Sequence, residues 1–229
     1  MIMKLLERMP TENARNYVLR ILLYNISNLI LEPGQKLSEN EIAETLNISR
    51  TPIREALIEL SKIDLVEIYP QRGSYVSKIN FNIIEESRFL RLVIEKEILT
   101  LMCQGVEQKY IDALKANLEQ EKKCAETNDI AQQLFLDNTF HKIMYESVGK
   151  IWTYGIISTQ MVHFDRLRAL ALTSIPSIKS ERTIQDHENI LYAIEHKDAE
   201  LCEMMLTKHL TRHQHERQDL LEKYPHFFK

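Results

Sequence analysis

A chain of 229 residues is long enough for two modest domains, and its 44% apolar and 27% charged residues are an ordinary composition for a soluble protein. A formal net charge of -4 excludes a generally basic nucleic-acid coat, and no apolar run approaches the ~20 residues that a bilayer span requires. Acidic and basic residues in the opening "MIMKLLERMPTEN" argue against a signal peptide. Cys103, Cys124 and Cys202, with no C-x-x-C spacing, read as reduced, buried thiols, so the expected location is cytoplasmic.

With five glycines and six prolines, the chain is expected to be mostly regular structure, and its Leu, Glu, Lys and Ile content leans helical. Residues 1–79 carry ten Lys/Arg and ten Asp/Glu, and residues 80–229 carry nineteen and twenty-three. The acid excess lies wholly in the second part, so any DNA contact must come from a local patch.

Helical periodicity begins near Asn13, with Val18, Ile21, Leu22 and Leu29 on one face. Pro33-Gly34 breaks it. In "LSENEIAETL", Ser38 and Glu41 form a capping box, with Leu37 and Ile42 as the accompanying staple, and the helix ends by Asn47. "SRTPIREALIEL" (49–60) follows at once. Ile53, Ala56, Leu57 and Leu60 repeat at core spacing, while Arg50 and Arg54 share a neighbouring outward face with Thr51 further round. Two helices joined by a tight turn, the second leading with arginines and hydroxyls, predict a helix-turn-helix. Its N-terminal end suits phosphate, and an arginine there suits guanine O6 and N7.

"LVEIY" (65–69) and "SYVSK" (74–78) then switch to period two around "PQRG" (70–73), which predicts a hairpin wing with Arg72 at its tip beside Gly73. Any one of the three arginines alone is better read as a solvated surface charge. Together they occupy the three places where a winged helix meets DNA.

From Phe81 onward, helices are expected over 82–104, 107–127, 130–148, 151–172, 178–196 and 198–221, with breaks at Gly105, Asn128-Asp129, Gly149, around Pro176 and at Lys197-Asp198. Six such helices predict an antiparallel bundle with room for a site in its core. Asp137 and His141 stand at i, i+4. His187 lies ten residues before the break at Lys197 and His209 twelve after it, so a helix hairpin places them at similar height. Three imidazoles and one carboxylate suit Zn²⁺, Ni²⁺ or Mn²⁺ with positions left for an exogenous ligand. His209 and His213 form a rival i, i+4 pair, and the frequency of histidine here allows a metal-free sensor whose histidines are ordinary bundle residues. An open metal also suits a helical hydrolase with an appended DNA module, although no HExxH, nucleophile elbow or phosphate loop is present.

The stretch 37–76, "LSENEIAETLNISRTPIREALIELSKIDLVEIYPQRGSYV", resembles the DNA-binding domain of the GntR family of bacterial transcription regulators. The resemblance implies DNA contacts by Ser49, Arg50, Thr51, Arg54, Arg72 and Gly73. Asn40 stands where some relatives carry an arginine. The second part resembles the FCD ligand-binding domain of the FadR-like subgroup: "FLRLVIEKEI" (89–98) is similar to its R-x-x-x-E helix, with Arg91 and Glu95, and "DHENILYAIEHKDAE" (186–200) is similar to another of its stretches. This implies metal ligands Asp137, His141, His187 and His209, and a carboxylate-bearing effector steadied by Arg91, with Arg166 and Arg168 as alternatives. Lys150 replaces an asparagine common after the glycine in relatives.

The expected protein is mainly α. A winged helix-turn-helix over 10–79 binds operator DNA, an all-helical bundle over 80–229 binds metal and effector, and a homodimer places two recognition helices on a palindromic operator. It is not expected to be an enzyme or to contact a membrane.

Overall fold

Asn13 caps the first helix by accepting from Asn16 N at 2.8 Å, and α1 (Ala14–Ser27) then buries Val18, Ile21, Leu22 and Ile26. These coordinates are a computed structural model describing residues 2–127, 129–174 and 176–229, without the side chains of 176–179 and of His213. α1 ends before Leu29, whose φ of 56° lies in the left-handed region; Ile26 fills the face that Leu29 was expected to extend.

α2 (Glu39–Leu46) starts at Ser38, whose hydroxyl accepts from Glu41 N, and stops at Asn47, a left-handed C-cap with φ of 51°. α3 (Arg50–Lys62) buries Ile53, Ala56, Leu57 and Leu60, the stripe predicted from its period. The wing strands are β2 (Val66–Tyr69) and β3 (Gly73–Val76), paired antiparallel. A two-residue strand β1 (Lys36–Leu37) joins the far edge of β3, giving the order β1-β3-β2; it is too short to show period two in sequence.

The chain divides into two units, Met1–Phe81 with Leu221–Lys229, and Asn82–Leu220. The last nine residues, expected with the bundle, cluster with the first unit. In the structure Ile79 N donates to Phe227 O at 2.8 Å, Lys229 N donates to Ile79 O at 3.1 Å, and Phe228 stacks on Phe81 at 5.0 Å.

The second unit comprises α4 (Phe81–Gln104), α5 (Gln108–Ala125), α6 (Ile130–Ser147), α7 (Ile151–Ser174), α8 (Pro176–Glu195), α9 (Ala199–Thr211) and most of α10 (His213–Lys223). The break expected at Asn128-Asp129 falls partly on a residue outside the described set; Asp129 caps α6. Helix 198–221 was expected to be continuous. It is interrupted at Arg212, where His215 N bonds three residues back to Arg212 O and tightens the turn. α5 packs on α6 and α8, α6 on α7, and α8 on α9. The C-terminal half of α7 is buried on nearly all sides, and α8 packs on α5, α6, α7 and α9. Among the described residues no helix is long and apolar enough to cross a membrane.

Residues 2–13 are tied to α1 through Tyr17, Arg20 and one fully buried side chain, Asn25. Asn25 Oδ1 accepts from Lys4 N at 2.7 Å, and Asn25 Nδ2 donates to Lys4 O and Ile21 O. Asn25→Ala should cost about 1–3 kcal/mol, because the amide's partners lose their bonds inside the core. Urea denaturation should give that loss, and amide exchange at Lys4 should accelerate. Unchanged exchange at Lys4 would mean that the strap does not depend on Asn25.

Candidate metal centre and nucleic-acid surface

The front of α3 is built for contact. Ser49 is its N-cap but makes no side-chain cap bond, and Ser49, Arg50, Thr51 and Arg54 are all exposed while the opposite stripe is buried. Arg72 and Gly73 form the exposed tip of the wing. The φ of 102° at Gly73 requires a glycine, and Arg72 lies over the Tyr69 ring at 5.6 Å. Both arginines of α3 reach back to Glu39 at the start of α2.

In the second unit, α6 supplies Asp137 and His141, α8 supplies His187 and α9 supplies His209. One ligand atom from each lies within 4.8 Å of all the others. His187 Nε2 is 3.6 Å and His209 Nε2 3.9 Å from Asp137 Oδ1, and His141 Nε2 is 3.4 Å from His209 Nε2. Donors about 2.1 Å from a common ion stand roughly 3.0–3.4 Å apart; His141 and His209 stand at that spacing, and Asp137 lies a few tenths of an ångström wide of it from His187 and His209. The alternative pairing of His209 with His213 falls on a side chain outside the described residues.

Each imidazole turns its Nδ1 toward an acid and its Nε2 inward. His187 Nδ1 lies 2.8 Å from Glu121, His141 Nδ1 2.9 Å from Glu95, and His209 Nδ1 3.6 Å from Asp186. Phe140 stacks on the His187 ring at 4.1 Å and fixes its plane. Such outer carboxylates set the tautomer and orientation of metal-binding histidines. Asp137 Oδ1 and His187 Nε2 are buried and have no hydrogen-bond partner, an arrangement that costs free energy unless something fills it. The donor set therefore fits a divalent transition ion.

Electrostatics match that chemistry. Burial pushes the Asp137 carboxyl up, but Arg168 at 2.6 Å and the surrounding imidazoles outweigh it and hold the group well below the usual carboxylate range. Burial lowers His141 well below the ordinary imidazole value, with Arg91 adding to the effect. Burial also lowers His209, against its bond to Asp186. His187 is raised, because Glu121 outweighs the desolvation that would lower it. Neutral His141 and His209 keep their lone pairs available.

A cavity of about 850 Å³, counting its open mouth, reaches Asp137 and His209 and is lined by Arg168, Arg182, Gln133 and Phe164 among others. Arg91, expected at the effector, does not line it: at 2% exposure it bonds Glu95 Oε1 at 2.9 Å and lies 3.8 Å from Asp137. Arg166 is buried away from the cavity, with its pKa lowered to about 10 by desolvation. Arg168 is the one of the three that faces the opening. Sequence reasoning missed Glu121, Asp186, Gln133 and Arg182. Asp186 precedes His187, and Gln133 stands one turn before Asp137 on the same helix, so both carried a signal; Glu121 carried none.

Both parts of the chain are similar to known proteins. Residues 86–212 match the FCD domain, and residues 15–76 match the bacterial regulatory proteins of the gntR family. HTH-type transcriptional repressor RspR of Escherichia coli (strain K12) is 29% identical over 201 residues, 88% of this chain and 87% of that protein. An uncharacterized HTH-type regulator in an unstable DNA locus of Streptomyces ambofaciens is 30% identical over 200 residues, 86% of this chain and 82% of that protein. The solved structure of E. coli McbR/YncC shares the fold, with a TM-score of 0.78 at 22% identity over 93% of this chain and 100% of that one. The relatives and the fold are those of transcription regulators, not enzymes. The chain belongs to the GntR family of bacterial transcription regulators and carries the FCD domain.

Proposed function

We propose that this regulator binds a palindromic operator as a homodimer, and that a small organic acid, held in the α6–α9 cavity beside a divalent metal, sets its operator affinity. The observation that carries the metal reading is the buried, unpartnered pair Asp137 Oδ1 and His187 Nε2, faced by the Nε2 atoms of His141 and His209. A bound Zn²⁺, Ni²⁺ or Mn²⁺ supplies a Lewis-acidic anchor for an anion. Arg168 already holds Asp137 Oδ2, which leaves Oδ1 for the ion. Arg182 adds a second cation at the cavity wall, and Gln133 Nε2, buried without a partner, adds a donor while Ser180 holds its Oε1 at 2.7 Å. An acid with a second polar or anionic group suits this lining better than a simple apolar acid. For the dimer, α4 offers an exposed apolar stripe of Phe89, Leu90 and Val93.

On DNA, Arg54→Ala should weaken specific operator binding by about 1–3 kcal/mol, the value of a bidentate base contact. Arg72→Ala should weaken binding more evenly across sequences and reduce its salt dependence. Gel-shift titrations at several salt concentrations separate the two. Normal operator affinity in a folded Arg50→Ala/Arg54→Ala protein would sink the recognition-helix assignment.

For the metal, purified protein should hold about one divalent ion per chain by elemental analysis. His187→Ala and His209→Ala should each lower that occupancy, and Glu121→Gln should weaken affinity roughly 10–100-fold through its hold on His187. Protein loaded with Zn²⁺, Ni²⁺ and Mn²⁺ in turn that keeps none above background would leave a metal-free sensor.

For the effector, a ligand alters operator affinity only through its different affinity for two protein states, and typical couplings of ~1–3 kcal/mol give 5–150-fold changes. A panel of organic and sugar acids, with and without chelator, should reveal such a response. Arg182→Ala should blunt it while leaving metal content unchanged. A response indifferent to chelator and to Arg182 would place the effector elsewhere.

A further inference from the structure

The two arginines at the front of α3 are not free in the protein without DNA. Arg50 and Arg54 stand one helical turn apart on one face, and like charges at that spacing repel. Glu39, the first residue of α2, lies opposite both. Its Oε2 accepts from Arg50 Nη2 at 3.2 Å and from Arg54 Nη2 at 2.9 Å, and its Oε1 accepts from Arg54 Nε at 3.2 Å. The arginine side chains are 59% and 61% exposed, whereas Glu39 is 23% exposed, so the carboxylate is the fixed member of the cluster.

The edge of Arg54 that Glu39 takes is informative. A guanidinium carries five N–H donors in a planar fork. Glu39 occupies the side edge, Nε and Nη2. The end-on edge, Nη1 with the second Nη2 hydrogen, stays free, and a fork of two donors is what guanine O6 and N7 require. Glu39 can therefore remain in place while Arg54 reads a base. It also has a second effect. It halves the net positive charge that the two arginines present, and attraction to phosphate is the part of binding that ignores sequence.

We infer that Glu39 is a positioning residue for DNA recognition: it aims the Arg50 and Arg54 forks before contact and suppresses attraction to DNA of any sequence. The inference rests on the DNA-binding reading above. A bland role also exists for Glu39, since an acid in the first turn of a helix is favoured by the helix dipole. Glu41 sits in the same first turn and serves as the control.

The test uses the full-length protein and a duplex selected by the wild type from a random-sequence pool, compared with a scrambled duplex of the same composition over a salt series. Glu39→Gln should bind the scrambled duplex roughly 3–10-fold more tightly and the selected duplex no more tightly, so the ratio of affinities falls by at least roughly 3–10-fold. Glu41→Gln, which removes the same charge from the same turn, should leave the ratio within about twofold. In an Arg54→Ala background, Glu39→Gln should no longer change the ratio by that factor. Glu39→Asp, which keeps the charge but shortens the reach, should lower affinity for the selected duplex while leaving the scrambled one unchanged, and it serves if the Gln variant does not fold. Equal tightening on both duplexes by Glu39→Gln, or no change on either, overturns the inference. A wild type that selects no sequence overturns the DNA-binding reading itself, a separate and earlier failure.

Discussion

The interior of the second unit is organised around one charge that water does not reach. Asp137 is 2% exposed, and removing a carboxylate from water costs several kcal/mol unless its surroundings answer it. The answer comes in alternating layers. Three imidazoles and Arg168 face the carboxylate. Behind the imidazoles stand Glu95, Glu121 and Asp186, and behind those stand Arg91, Asn117 and Arg212. Six helices, α4 to α9, contribute to these layers. Their packing against one another is thus fixed by polar partners as well as by the apolar stripes that fill the rest of the bundle.

The same pairing of arginine with carboxylate serves opposite ends in the two units. Arg91 and Glu95 are each 2% exposed, and removing either partner leaves an uncompensated charge in the core, a loss of order 3–5 kcal/mol. Arg54 and Glu39 lie where solvent screens them, and an exposed pair of that kind contributes little to stability. The buried pair is permanent scaffolding. The exposed one adds little to stability, and it holds its arginine by one edge of the fork while the other edge stays open to DNA.

Helical period and turn chemistry made much of this legible before any coordinates. The buried stripe of α3, the cap at Ser38 and the turn of the wing follow from local rules, because each involves residues within one turn or one hairpin. Asp137 and His141 share a face for the same reason. Counting outward from the break at Lys197 brought His187 and His209 to one height, and only the family resemblance chose them from among eight histidines. Period tells which residues share a face, but not which helix that face will meet. That is why Glu121, 66 residues from its histidine, went unseen, and why Arg91 was preferred at the cavity to Arg168. β1 escaped because its two residues take their conformation from β3 rather than from their own pattern.

The return of Leu221–Lys229 to the first unit makes that unit discontinuous in sequence. A fragment ending near residue 80 would therefore not be a clean domain. It would lack the main-chain partners of Ile79, the ring that stacks on Phe81 and the Lys229 ammonium that bonds Glu67 on a wing strand. A purification tag fused after Lys229 would likewise sit beside the DNA-reading unit rather than on the sensor. Fragments intended to isolate the reader are better made by joining the two segments through a short linker than by cutting the chain once.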